Sequence, residues 1–390
     1  NVTPSVGDGR RSHQEQLGDA VEGQGVGGFV AEVERDIRDA PVERVLRFLC
    51  GEDGGADGGA VYLENSPNAV IEIADNHSYT EPLHDIEVPR NHSLQLRAAD
   101  RCRPVIRLLD YAVEGGERLR VVMGDGARFT LDGILLTGRP LRIEGKGEDP
   151  VAVHVAIRAS TLVPGWELRH DCSASAPSEA SLELDNVYGS VAIDRSILGS
   201  IAVTDDAARA EPIAIAIRDS IVDATASELE AISGPSAGYA WATLSIVRST
   251  VIGQVLAHAL ALAENSIFAG AVQIVRRQSG CVRFCSLVEA SRTPRRYHCQ
   301  PDLALKNIAA ADADAVRRGV APRFVSTRFG DAGYCQLGLD CPGEIAGGAD
   351  DESELGAFHD LFVPQRTASL LARLEHSVPA GMEVGLIWAD

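Results

Sequence analysis

The chain has 390 residues, 45% of them apolar, enough to build one large fold or two medium ones, which excludes disorder as its main state. Thirty-six basic against 56 acidic side chains give a net charge of −20, whereas proteins that grip phosphate backbones rely on clustered Lys and Arg, so nucleic acid is not expected as a partner. No window approaches the roughly 20 consecutive apolar residues of a membrane-spanning helix, and no charged-then-apolar leader opens the chain, so no membrane span is expected.

Lys146 and Lys306 are the only lysines, and with abundant Ala, Gly and Val this is the usage of a GC-rich bacterial genome. The reading is of a soluble bacterial protein, in a cytoplasmic assembly or an extracellular particle; the start at Asn1 leaves secretion open. Eight cysteines are too sparse for a disulfide scaffold and read as buried thiols. Low aromatic content (5%) and 38 glycines point to short strands joined by frequent turns.

In chain order, residues 1–28 are polar and Gly-rich and read as a loose arm. Phe29, Val30, Val33 and Ile37 then fall at helical spacing. Asp39 and Pro41 start a second helical run through Val42, Val45, Leu46 and Leu49, which ends at Gly51–Gly59, so 1–60 forms an N-terminal arm and helical segment. From Val61 the apolar period becomes two, as in Val70-Ile71-Glu72-Ile73, Leu94-Gln95-Leu96 and Leu119-Arg120-Val121.

Within 61–290 a Ser/Thr-apolar-apolar motif recurs at Thr161, Ser196, Ser220, Thr250, Ser266 and Ser286, at spacings of 35, 24, 30, 16 and 20 residues. A related unit, Gly133 to Gly138, precedes them. Irregular repeats of short strands, none able to bury its apolar face alone, predict an all-β fold, a parallel β-helix solenoid in which like residues stack coil on coil. About seven coils spaced about 4.8 Å apart make a rod of roughly 34 Å. Extra length in the longer coils is expected to protrude as loops at Pro164–Ala180, Thr204–Pro212 and Asp223–Trp241. Beyond Ser291 the repeat fails, and 291–390 reads as a loop-rich region that caps or flanks the solenoid, with a helix near 364–378 carrying Leu370, Leu371, Leu374 and Val378 on one stripe.

Searches for a P-loop, a dinucleotide glycine pattern, a nucleophile elbow and His-Glu-x-x-His find nothing, and no cofactor is expected. Weaker features remain. Asp194, Asp219 and Glu264 precede the recurring motif, accompanied by Arg158, Arg195, Arg218 and Arg248. Two carboxylates about 5 Å or 6.5–9.5 Å apart could cleave a glycosidic bond, though alternating charges on adjacent coils would equally stabilise stacking without catalysis. Arg292, Arg295, Arg296 and His298 form the densest basic segment and could hold a carboxylate or phosphate, or else pair with local acids. Trp166, Tyr239 and Trp241, if exposed on loops, could stack on sugar rings. Cys281, Cys285, His298 and Cys299 match zinc spacing poorly and read as stacked core cysteines, while Cys335 and Cys341 could close a short disulfide loop. Asp350, Asp351, Glu352 and Glu354 lack a calcium-loop pattern and read as a solvated acidic turn, so no metal is expected.

On the coil pattern, about residues 61–290 resemble the right-handed parallel β-helix, pectin-lyase-like superfamily, without its Asn-Thr-Asp or Gly-His-Gly motifs. The segments Cys281-Val282-Arg283-Phe284, Ser291 to Tyr297, Gly348-Ala349-Asp350-Asp351, Gly356-Ala357-Phe358-His359 and Pro364-Gln365-Arg366 are similar to those of uncharacterised bacterial β-helix proteins that accompany phage-tail-like contractile injection systems. That resemblance implies a place in or near an injection particle. The leading expectation is therefore a non-enzymatic structural or adsorption protein that contacts other proteins of a larger assembly or a surface glycan. The alternative is a polysaccharide lyase or glycoside hydrolase working through the acidic and Arg-bearing face. Oligomeric state cannot be read from the sequence.

Overall fold

The computed structural model describes residues 68–80, 85–108, 119–204 and 210–375, with 378, 379 and 382. The expected arm and helices of 1–60 and most of the 204–212 loop lie outside these residues. The described chain is dominated by short parallel strands that wind in coils of three. The first three coils are β1 (Asn68–Ile73), β2 (Ser78–Tyr79), β3 (Ile86–Val88); β4 (Ser93–Ala98), β5 (Val105–Arg107), β6 (Leu119–Met123); and β7 (Ala127–Asp132), β8 (Leu135–Thr137), β9 (Leu141–Gly145). Next come β10 (Val151–Arg158), β11 (Thr161–Leu162), β12 (Leu182–Asp185), then β13 (Val187–Asp194), β14 (Ile197–Leu198), β15 (Ile201–Val203). They are followed by β16 (Ile213–Arg218), β17 (Ile221–Asp223), β18 (Glu230–Ser233) and by β19 (Ala240–Val247), β20 (Thr250–Ile252) and the first half of β21 (Gln254–Glu264). The second half of β21, β22 (Ile267–Phe268) and β23 (Val272–Arg276) make the eighth, and β24 (Cys281–Arg283) and β25 (Arg295–Tyr297) continue the stack.

Three stacks result. β21 pairs with both β18 and β19 and so joins two of them into one 17-stranded sheet, while β2, β5, β8, β11, β14, β17, β20 and β22 form a separate 8-stranded sheet. This is a parallel β-helix-like solenoid.

Period-two sequence produces it directly. In β10, Val153, Val155 and Ile157 are buried while the residues between them face outward. Successive coils place like on like, in the column Ile71, Leu96, Leu131, Ile157, Ile193, Ile217, Ile246, Ala263 and Val282. All nine are buried, and each Leu or Ile so removed from water contributes roughly 1.5–3 kcal/mol.

The corner motif differs in register from the sequence reading. Ser160, Ser196, Ser220, Ser249 and Ser266 line the inside of one corner, whereas Thr161, Thr250 and Ser286 occupy the next position, stacked with Ile197, Ile221 and Ile267. Adjacent Ser-Thr pairs at 160–161 and 249–250 concealed the one-residue offset. Each inner hydroxyl donates to the carbonyl two residues earlier and accepts the backbone N–H of the corner residue one coil before it, Ile134 for Ser160 and a serine for the others; the Ser196 N–H to Ser220 Oγ distance is 3.1 Å. Polar groups buried at a tight corner are thereby satisfied.

The C-terminal region carries α1 (Ala313–Gly319), α2 (Gly343–Ala346) and α3 (Val363–Glu375). It flanks the solenoid. Residues of the segment pack on the outside of the 8-stranded sheet: Leu337, Ile345, Ala349 and Leu355 against Ile267, and Tyr334 and Cys335 against Ile221 and Ile252. That is why β17 and β20 are buried on both faces. Cys335 and Cys341 are free thiols, because each turns into a different one of these two clusters.

Candidate functional site

The acidic candidates, with Tyr297 and His298, lie along the corner between the strand ends of the first stack and the 8-stranded sheet. One column runs along the strand ends: Glu72, Arg97, Asp132, Arg158, Asp194, Arg218, Val247, Glu264, Arg283 and Tyr297. Its first six members alternate in sign, and Arg97 meets Glu72 at 2.8 Å. From the third coil on, the residue after the column member turns into left-handed backbone: Gly133, Ala159, Arg195, Asp219, Arg248, Asn265, Phe284 and His298, with φ between 45° and 74°. This bend projects a second column of side chains beside the first.

Asp194 and Glu264 therefore share the first column, and Asp219 belongs to the second, where the sequence reading had all three at matching positions. Three coil steps separate Asp194 from Glu264, roughly 14 Å of backbone at the usual interstrand spacing, beyond the roughly 5–9.5 Å that a glycosidase pair needs. Each is also paired. Asp194 lies 3.5 Å from Arg195, and Glu264 takes Arg283 at 2.6 Å. Asp219 receives a bidentate contact from Arg248 at 2.6 and 2.8 Å.

The C-terminal segment closes on this corner. Asn265 Nδ2 donates to Asp350 Oδ1 at 2.6 Å, its backbone carbonyl accepts Gly356 N–H at 2.9 Å, and Thr250 Oγ1 accepts Ala357 N–H at 3.1 Å. His359, its side chain 7% exposed, sits behind them: Nδ1 lies 2.8 Å from Asp360 Oδ1 and Nε2 lies 3.3 Å from Asp351 Oδ1. Asp360 in turn approaches Arg248 at 3.9 Å. Ligand atoms of Asp350, Asp351 and His359 all lie within 4.8 Å of one another. The Asp351 carboxyl is held below the usual range by hydrogen bonds from Ser353 and by the nearby imidazole. Glu352 is exposed and takes no part in this group. Glu354 is fully buried, with Oε1 accepting Val363 N–H at 2.8 Å and Oε2 unbonded, so burial pushes its carboxyl up to about 7. A second buried acid, Asp223, is raised by burial while accepting the Tyr334 hydroxyl at 2.5 Å. His359 was absent from the candidate site residues, although it ends the Gly356-Ala357-Phe358-His359 segment and follows the Asp350-Asp351 pair by eight residues.

At the other end of the same two columns the chemistry changes. Phe284, Tyr297 and His298 form a contiguous aromatic group, with ring centroids 4.2 Å apart for Tyr297 and His298 and 5.4 Å for Phe284 and His298. Tyr297 is 56% exposed, His298 next to it and Arg295 on the same strand are exposed, and Arg292 is exposed on the third stack, where it follows Gln273 of β23. Among the described residues neither Arg292 nor Arg295 has a carboxylate partner. Arg296 differs: its position stacks on Val282, and its guanidinium is engaged by the Ser291 carbonyl at 2.6 Å, Thr293 Oγ1 at 2.9 Å and Asp302 at 3.2 Å, closing the end of the core column. Cys285 and Cys299 continue the inner serine column, their thiols raised by burial, while Cys281 lies on β24 outside it.

The remaining aromatic candidates do not gather. Trp166 lies in the Pro164–Ala180 loop, half-buried, with Nε1 donating to Ala180 O at 2.8 Å and Arg139 over its ring at 4.9 Å. Trp241 stands in strand β19, where its ring meets His258 at 4.1 Å and Nε1 donates to Ala210 O. Tyr239 alone of the three is largely exposed, at 53%. No family model matches the chain, and no curated protein matches it.

Proposed function

We propose that the protein is a non-enzymatic structural and adsorption module of the right-handed, pectin-lyase-like kind, whose last coils contact a surface glycan or a protein of a larger, phage-tail-like assembly. The observation that carries this reading is the contiguous Phe284, Tyr297 and His298 group, exposed at Tyr297 and His298, with Arg295 exposed and without a carboxylate partner on the same strand as Tyr297. Aromatic faces stack on the apolar face of a sugar ring, and a guanidinium forks onto a carboxylate, so an acidic saccharide matches both groups. The stacked, polar-satisfied coils beneath supply a rigid base that loses little entropy on binding.

The competing reading, a polysaccharide lyase or hydrolase, draws less support because Asp194, Asp219 and Glu264 each face an arginine. A screen of acidic and neutral oligosaccharides distinguishes the two. The adsorption reading expects retention of an acidic glycan without cleavage, and a loss of at least tenfold in Tyr297→Ala and Arg295→Ala with unchanged melting. Cleavage products that vanish in Asp194→Asn, Asp219→Asn or Glu264→Gln would replace it with the enzyme.

A further inference from the structure

We propose that Asp350, Asp351 and His359 form a binding site for one divalent transition ion of the zinc or manganese class, which fastens the C-terminal segment to the corner of the solenoid. Two observations carry this. The first is the donor set itself: one imidazole nitrogen and two carboxylates whose ligand atoms fall within 4.8 Å of one another. Mixed nitrogen and oxygen ligation of this kind suits Zn²⁺ or Mn²⁺ better than Ca²⁺, which takes six to eight oxygens.

The second concerns the buried imidazole. A carboxylate only accepts hydrogen bonds, so the 2.8 Å contact to Asp360 requires the proton on His359 Nδ1. That leaves Nε2 as the ring atom aimed at the two carboxylates, 3.3 Å from Asp351 Oδ1. Its other neighbour, Asn265 Nδ2, is 3.4 Å away and already donates to Asp350 at 2.6 Å. Asp350 and Asp351 are exposed while the imidazole is buried, so the three ligand atoms converge where a cation can enter from solvent. Among the described residues no Lys or Arg pairs with Asp350 or Asp351, so the positive charge beside them comes either from a second proton on the imidazole or from a bound cation. A metal ion supplies it, with Asp360 orienting the imidazole through Nδ1 as outer carboxylates do in histidine metal sites.

The consequence is mechanical. Asp350, Asp351 and His359 belong to the flanking segment, but Asn265, which orients Asp350, stands in the second column of the corner. An ion held here stabilises the docked segment by mass action, because the separated segment lacks Asn265 to set the ligands.

The test is calorimetric titration of the chelator-treated full chain with Zn²⁺ and, separately, Mn²⁺. One equivalent is expected, with a rise in melting temperature, and at least tenfold weaker affinity in His359→Gln and in Asp351→Asn. Should either variant fold poorly, ¹⁵N spectra of the wild-type histidines serve instead: Zn²⁺ is expected to shift one imidazole at Nε2 while its Nδ1 proton persists. Absence of saturable binding by either ion, binding undiminished in both variants, or an imidazole already doubly protonated at neutral pH and indifferent to Zn²⁺ would overturn the proposal.

Discussion

The first eight coils and the last two use the same three columns with different chemistry. From Ser160 in the fourth coil through Ser266 in the eighth the inner corner is lined by hydroxyls; at Cys285 and Cys299 it is lined by thiols. The first outer column is charged at every coil from Glu72 to Arg283 except at Val247, and the two columns end in Phe284, Tyr297 and His298. The backbone does not register the change, since φ is 48° to 51° at Arg195, Asp219, Asn265, Phe284 and His298 alike. The corner is thus a geometric fixture that tolerates several side-chain sets. What is decorated on it can follow function, and the exposed aromatic set lies where the adsorption reading puts the contact.

The serine column is the place to break this comparison with the largest effect. Ser220→Ala removes the acceptor of the buried Ser196 N–H, and an orphaned buried donor costs about 1–3 kcal/mol, to be read from denaturant unfolding. A change below a few tenths would mean that the hydroxyl ladder is incidental to the corner. The outer ionic column comes next. Arg248→Met strips Asp219 of its bidentate partner and is expected to cost about 1 kcal/mol at low ionic strength, shrinking in 0.5 M salt as screening already weakens the pair. Tyr297→Ala removes a ring that is 56% exposed and is expected to leave stability unchanged at low and high salt alike, because ring contacts carry no net charge. Equal salt responses in the two variants would remove the distinction between ionic and aromatic coils.

Much of the solenoid was legible because coil stacking repeats sequence-local information: alternation in Val153-Val155-Ile157 or Ile213-Ile215-Ile217 marks a strand whether or not its neighbour is known. The exact corner register was not, since Ser249-Thr250 offers two hydroxyls and only the stacking of Thr250 on Ile221 and Ile267 decides between them. The acidic candidates could be placed on one face from sequence, but a one-residue shift of Asp219 into left-handed backbone separates it from Asp194, and no local pattern encodes that bend for an aspartate. The flanking segment was the least readable. Its contacts span about a hundred positions, as with Tyr334 to Asp223 or His359 to Asn265, and such pairings leave no periodicity behind.

The finest distinction lies inside the last two coils and concerns whether sulfur there replaces oxygen in kind. Cys285 reproduces the serine geometry, with Sγ 3.2 Å from the Arg283 carbonyl and the Ser266 N–H directed to it. If the column is governed by that hydrogen-bond pattern, Cys285→Ser extends the hydroxyl ladder by one step and shifts stability by less than about 1 kcal/mol. Native labelling gives the companion readout: burial raises the Cys285 and Cys299 thiols, so both resist alkylation at mildly alkaline pH while exposed Cys172 reacts. A loss in Cys285→Ser as large as that of Ser220→Ala would show that the sulfur is retained for its bulk against the core. The last coils would then be a separately packed end piece, and their aromatic face would owe its rigidity to that packing instead of to the ladder beneath the ionic coils.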